Sequence, residues 1–195
     1  DKDEKSSEAA MKYLLYGGAA SGVMAYGLSL LYGITGTLDY SGIHAFIAEN
    51  NAGIILYISM IFIFTGMGFK IAAFPFHAWC PDVYEGALTP FTAFLSVGSK
   101  AAGFAVIVRF FYQIFTLRGE GDILAVLGSA DWPAMLAIIS AITMTFGNLA
   151  ALRQKNIKRL LAYSSIAHAG YTLMAVASQT VFGVVSVFFY LSVYL

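Results

Sequence analysis

The chain has 195 residues, 59% of them hydrophobic and 11% charged, with 11 basic and 11 acidic side chains and zero formal net charge. Soluble domains carry roughly 25% charged residues, so this composition argues against a water-soluble core. No acidic or basic block points to nucleic acid as a partner, and the single Cys80 allows neither an intrachain disulfide nor a cysteine metal cluster.

The chain opens in the charged stretch DKDEKSSE, with no initiator methionine and no signal-peptide pattern, and stops inside the apolar run VFGVVSVFFYLSVYL. Both ends read as those of an internal piece, one transmembrane domain over residues 1–195, cut from a longer protein. A bilayer span needs about 20 apolar residues in a helix, because the hydrocarbon core is roughly 30 Å thick. Runs that meet or approach this length extend from Ala9 to Gly33, Gly53 to Phe76, Pro90 to Phe115, Pro133 to Leu152 and Leu160 to Ala177, and the run from Val181 to Leu195 is a sixth, cut short. Lipid leaves no partner for open backbone groups, and the alternation of a membrane barrel is absent, so the spans are helices. The expected fold is an all-α integral membrane bundle of about six spans. The connections ITGTLDYSGIHAFIAEN, HAWCPDVYEGALT, LRGEGDILAVLGSAD and RQKNIKR are short and polar and leave no room for an extramembrane domain.

Taking the connections on alternate sides gathers Lys2, Lys5, Arg153, Lys155, Lys158 and Arg159 on one face. Arg118, Arg109, Asp39, Glu49, Glu120, Asp122 and Asp131 fall on the other. By the positive-inside rule the first face is cytoplasmic.

In the first run, Lys12 stands about one turn inside the apolar stretch, where it can snorkel to the interface or pair with Glu8, four residues earlier on the same face. Gly18 and Gly22 form a small-xxx-small pattern that reads as close helix packing. Lys70 lies deep in the second run, five residues before Pro75, which removes a backbone donor and clashes with the carbonyl of Ile71. That spacing predicts a broken or bent helix between about Gly66 and Pro75, either as a polar site or as a simple packing bend.

In the third run Lys100 falls about ten residues, roughly 15 Å, past Pro90 and so near mid-bilayer. An ionised lysine there costs about 2.5–3.5 kcal/mol on insertion scales, and such residues face a bundle interior or a water path. Burial disfavours the ammonium form of a lysine and makes proton exchange feasible. The plain alternative is a lysine tied to a carbonyl or carboxylate. On the fourth run Ser140, Thr143, Gly147 and Asn148 share a face, as do Ser164, His168 and Thr172 on the fifth. Helix-packing hydrogen bonds explain such stripes, and His168 is also suited to carry protons. His77 and His44, at or beyond helix ends, read as structural, and RQKNIKR as a topology anchor with headgroup binding as a second use.

The stretch GFKIAAFPFHAWCPDVYEGALTPFTAFLSVGSKAAGFAVIVRFF, with NLAALRQKNIKRLLAYSSIAHAGY and SSEAAMKYLLYGGAASG, resembles the antiporter-like, proton-translocating membrane subunits of NADH:quinone oxidoreductase (respiratory complex I), most closely the subunit N group. The likeness covers nearly the whole chain. It implies a proton relay through Lys12, Lys70 and Lys100, to which the residue reading adds His168, with the helix at Lys70 interrupted. It also implies a translocase role without a flavin, iron–sulfur centre or nicotinamide in this chain. NADH and quinone would be bound by partner subunits of the complex, and the location would be a bacterial inner membrane or an organellar energy-transducing membrane. A family glutamate and a further lysine are not in this sequence, and Cys80 stands where threonine is more usual. A multisubunit cation/proton antiporter shares the buried lysines and is the alternative; a purely structural scaffold is disfavoured by the cost of burying them.

Overall fold

A computed structural model describes residues 4–50, 53–118, 124–127 and 131–194. Lys2, Glu120 and Asp122, which enter the charge count above, lie outside these residues. In chain order the elements are α1 (Glu4–Thr35), α2 (Tyr40–Glu49), α3 (Gly53–Ile71), α4 (Trp79–Gly86), α5 (Thr89–Ser96), α6 (Gly98–Phe115), β1 (Thr116–Arg118), β2 (Leu124–Val126), α7 (Trp132–Ala151), α8 (Ile157–Ala177) and α9 (Val181–Tyr194).

Among the described residues, five helical stretches are long and apolar enough to cross a membrane: α1, α3, the pair α5–α6 taken as one span, α7 and α8. Helix α9 is apolar but has 14 residues, short of the length that crosses a bilayer. The expected all-α membrane bundle is therefore present. At 32 residues, α1 is about 48 Å long and outreaches the hydrocarbon core, so its charged first turns project beyond it.

Three of the connections are more ordered than their polarity suggested. ITGTLDYSGIHAFIAEN contains α2, started by Asp39, whose carboxylate accepts from the Gly42 N–H at 3.3 Å. LRGEGDILAVLGSAD, together with Thr116 before it, holds the antiparallel pair β1–β2, with Leu117 opposite Ala125. HAWCPDVYEGALT, expected to be a loop, holds α4, which buries Trp79, Cys80, Val83 and Tyr84. The polar residues that made the segment look like a loop occupy only one side of this helix.

The predicted break at Lys70 is present. Helix α3 ends at Ile71, where Ala72 takes a left-handed φ of 58°, its N–H bonds the Phe69 carbonyl and the Ala73 N–H bonds the Gly68 carbonyl. That is the Schellman pattern of a terminated helix, with alanine in the place usually held by glycine. The proline clash is thus not the direct cause. Pro75 sits in the following turn, after a cis Phe74–Pro75 bond, and the turn is fastened to α7 by the Phe74 N–H donating to Thr143 Oγ1 at 3.1 Å. A second discontinuity, unforeseen from sequence, separates α5 from α6 at Val97 (φ −119°, ψ −69°).

Helix α1 packs along α3, α3 crosses α6, and α7 and α8 form a close hairpin with α9 against α8. Because lipid is as apolar as leucine, membrane helices associate where small residues let backbones approach. A Cβ on Gly27 of α1 would lie 2.8 Å from the Ile63 nitrogen, one on Gly147 2.7 Å from the Ala167 nitrogen, and one on Gly170 2.7 Å from the Met144 nitrogen. Gly18 and Gly22, expected at such a crossing, face open space instead. Aromatic rings fill the centre, with Phe111 stacked on Trp132 at 5.1 Å, while Leu14, Ile54, Leu152 and Phe182 point outward on the apolar surface.

Candidate functional site

The buried lysine predicted from sequence is Lys100. It stands in the first turn of α6, directly after the Val97 discontinuity, and is 4% exposed. Its Nζ donates to the Ser165 carbonyl at 2.7 Å and to Ser165 Oγ at 2.6 Å, across the interface with α8. Among the described residues no carboxylate pairs with it. Residue 165, not the Ser164 of the predicted polar stripe, is its partner; both lie within a turn of His168, and only the tertiary contact tells them apart.

His168 lies one turn further along α8, its Nδ1 hydrogen-bonded to the Tyr190 hydroxyl of α9. Lys100, Ser165, His168, Thr172 and Tyr190 are among the residues lining a partly open cavity of about 10 Å³, on the scale of a single water molecule. This arrangement places a primary amine, a hydroxyl, an imidazole and a phenol in sequence from α6 to α9. The hydroxyl, the neutral imidazole and the phenol can each donate and accept a hydrogen bond, and the lysine donates.

Lys70 is placed differently from expectation. It stands at the end of α3 and is exposed on this chain, in a groove of about 500 Å³ between α1, α3 and α6. Its Nζ donates to the Tyr13 hydroxyl at 3.2 Å. Gly103 brings the two lysines onto neighbouring turns: a Cβ there would meet the Lys70 stem at 3.6 Å and Ile71 Cγ2 at 2.8 Å, one turn beyond Lys100. Lys70 thus turns toward α1, and Lys100 toward α8.

Lys12 belongs to an ion network at one end of the bundle. Its Nζ is 2.6 Å from Glu8, the partner expected from sequence, and 2.6 Å from Asp82 of α4, which the sequence did not reveal. Arg159 of α8 lies 2.5 Å from Asp82 and 3.2 Å from Glu85, and Lys5 lies 3.4 Å from Glu85. Lys158 donates to the Ala87 carbonyl at 3.0 Å, closing the C-terminal end of α4. Burial opposes ionisation of Asp82, but hydrogen bonds from Lys12 and Arg159 outweigh it and hold the carboxyl below its ordinary value of 3.8. The pairing therefore contributes stability above that value that is lost as pH falls through the lowered one. Part of RQKNIKR is thereby explained: Lys158 and Arg159 clamp α4, whereas Arg153 and Lys155 remain exposed.

The remaining polar residues act in packing. Ser140 Oγ donates to the Gly170 carbonyl at 2.7 Å, Thr143 Oγ1 to Ile139 at 2.6 Å, and Asn148 to the Tyr171 hydroxyl at 2.7 Å. His44 Nδ1 meets the Ile114 carbonyl at 3.1 Å, in the structural role expected. His77 lies between Phe74 and Phe146, and burial holds its imidazole below the ordinary value of 6.5. Cys80 is fully buried, which pushes its thiol up to about 11 and leaves it unreactive.

The family described as NADH:quinone oxidoreductase/Mrp antiporter, transmembrane, matches residues 1–195. This chain belongs to that family. Within the NADH:quinone oxidoreductase/Mrp antiporter family, it is 50% identical to NADH-quinone oxidoreductase subunit N of Anaeromyxobacter sp. (strain Fw109-5), over 99% of this chain and 39% of that protein. A structure of respiratory complex I from Thermus thermophilus matches at 41% identity and a TM-score of 0.69, over 87% of this chain and 34% of that one. A structure of the membrane-bound sulfane sulfur reductase, an archaeal respiratory membrane complex, matches at 31% identity and a TM-score of 0.81, over 98% of this chain and 37% of that one. The chain thus spans under two fifths of the length of these relatives, and it has the multi-pass membrane fold of a respiratory-complex family.

Proposed function

We propose that this chain is part of a membrane subunit of an NADH:quinone oxidoreductase that moves protons through Lys100, Lys70 and His168. The observation that carries the reading is Lys100, buried in a membrane-spanning helix and held by a hydroxyl and a carbonyl. A lysine paired with a buried carboxylate cannot lose its proton without stranding a charge. One held by neutral oxygens can. In this reading Lys100 takes a proton from water and passes it by way of Ser165, and a water of the size the cavity would hold, toward His168 and Tyr190. Changes in neighbouring charge, driven by quinone reduction in partner subunits, shift the balance between its protonated and free forms. Flavin, iron–sulfur centres, NADH and quinone belong to those partners. The relatives named subunit N support the same reading.

The test is affinity purification of the full-length protein from native membranes, followed by reconstitution. Co-purifying oxidoreductase subunits with NADH-driven proton uptake are the expected result. Sodium/proton exchange that proceeds without NADH would establish the antiporter alternative instead.

For orientation, α4 and the first turns of α1 and α8 lie together at one end of the bundle, and the positive-inside count makes that end cytoplasmic. Cysteine probes at Lys5 and Lys155 are expected to label from the cytoplasmic side, and a probe at Ser41 from the other. Labelling of the Lys155 position only from the outer face would reverse the orientation.

A further inference from the structure

An isolated helix of eight residues is not stable in water, so α4 is held by its surroundings. Its two faces meet different partners. Outward, Asp82 and Glu85 join the network in which Lys5, Lys12 and Arg159 are balanced by Glu8, Asp82 and Glu85. Inward, the Trp79 indole donates to the Phe69 carbonyl at 3.1 Å, at the point where α3 ends beside Lys70. The Trp79 ring also packs edge-on against Tyr13 at 5.2 Å and tilted against Phe69 at 5.0 Å.

Tyr13 follows Lys12 in α1, and its hydroxyl accepts the hydrogen bond from Lys70. Two lines of contact therefore leave the Lys12–Asp82 pair. One runs along α4 to Trp79 and the end of α3; the other runs along α1 to Tyr13. They converge on Lys70.

We infer that Asp82 is a positioning residue: its bridges to Lys12 and Arg159 clamp α4 between α1 and α8 and thereby set Lys70, and Lys12 is the fixed cation of that clamp, not a proton carrier. The inference rests on the proton-translocation reading above. Lys12 lies 2.6 Å from each of two carboxylates, so releasing its proton would leave both without that counter-charge. Lys100, whose amine among the described residues is hydrogen-bonded to neutral oxygens, has the opposite surroundings.

The experiment uses membrane vesicles with matched amounts of the assembled complex, measuring NADH oxidation beside proton uptake. Lys12→Arg is expected to retain pumping close to that of the unsubstituted complex, because guanidinium bridges two carboxylates while keeping its proton. Asp82→Asn and Lys12→Ala are expected to lower pumping by on the order of tenfold to a hundredfold, the scale on which misplacement of a reacting group is felt. Asp82→Glu should recover much of the loss.

A proton carrier at position 12 gives the reverse pattern, with pumping lost in Lys12→Arg. That loss, failure of Lys12→Arg to assemble, or normal pumping in Asp82→Asn would each overturn the inference. If Asp82→Asn does not assemble, Lys12→Arg and Asp82→Glu, which keep every charge, decide the matter. Lys100→Ala in the same vesicles separates the two levels. Normal pumping there removes Lys100 from the proton path and with it the lysine relay on which the inference rests, whereas lost pumping there together with lost pumping in Lys12→Arg removes only the role assigned to Asp82 and Lys12.

Discussion

Vesicles carrying Lys100→Ala are expected to assemble the complex and to lose proton uptake, by on the order of a hundredfold, the lower range for removal of a positioned acid–base group. Assembly survives because alanine removes an amine whose insertion costs about 2.5–3.5 kcal/mol when charged, and leaves behind only the Ser165 hydroxyl and carbonyl. Lys100→Arg should also fail to pump, since guanidinium keeps its proton at any physiological pH. It should assemble less well too, because five donors then face the two oxygens that one ammonium satisfied. Ser165→Ala is expected to fall between these, as Lys100 retains the carbonyl. A structural lysine gives a different ranking, in which arginine preserves function and alanine impairs assembly. Proton uptake at matched complex content distinguishes the two, and normal uptake in Lys100→Ala would remove Lys100 from the path.

Gly147→Leu and Gly170→Leu are each expected to abolish accumulation of folded subunit. At both positions even a Cβ would fall 2.7 Å from a backbone nitrogen of the facing helix, so no side-chain rotation relieves the clash and α7 must separate from α8. Ordinary overpacking costs about 1–3 kcal/mol, and a rigid backbone neighbour places these sites at or above that range. The separation would also move Ser165 from Lys100 and break the bond from Ser140 to the Gly170 carbonyl. Gly18→Ala and Gly22→Ala are the controls, since nothing lies within 4 Å of a Cβ at either. Yield and thermal stability of the detergent-solubilised protein measure the contrast. Equal tolerance at all four positions would mean that the α7–α8 crossing is looser than described.

Several features were legible because they are local. The spans follow from run length and hydropathy, the Glu8–Lys12 pair from spacing along one helix, and the burial of Lys100 from its place deep in an apolar run. The end of α3 was anticipated in place but not in cause. Pro75 marked the region, whereas the helix stops four residues earlier at Ile71, followed by Ala72, whose left-handed backbone has no signature in an alanine.

Other features depend on neighbours far along the chain. Asp82 meets Lys12 and Arg159 across 70 and 77 residues, and nothing local to PDVYEG indicates that two cations converge on it. The polar side of α4 resembled a loop because its apolar side has meaning only against α1 and α8. Lys70, like Lys100 placed inside an apolar run, is exposed on this chain while Lys100 is enclosed. That difference is set by which helices close around each lysine. Gly18 and Gly22 had the spacing of a helix crossing, yet the backbones meet at Gly27, Gly147 and Gly170. The sequence by itself determined a bundle of membrane helices with an amine placed inside one of them, since hydropathy and insertion cost act residue by residue. The tertiary structure alone decided which faces meet, and hence that Lys100 is held by neutral oxygens while Lys12 is locked between carboxylates, because a charge's surroundings are set by contacts across the fold.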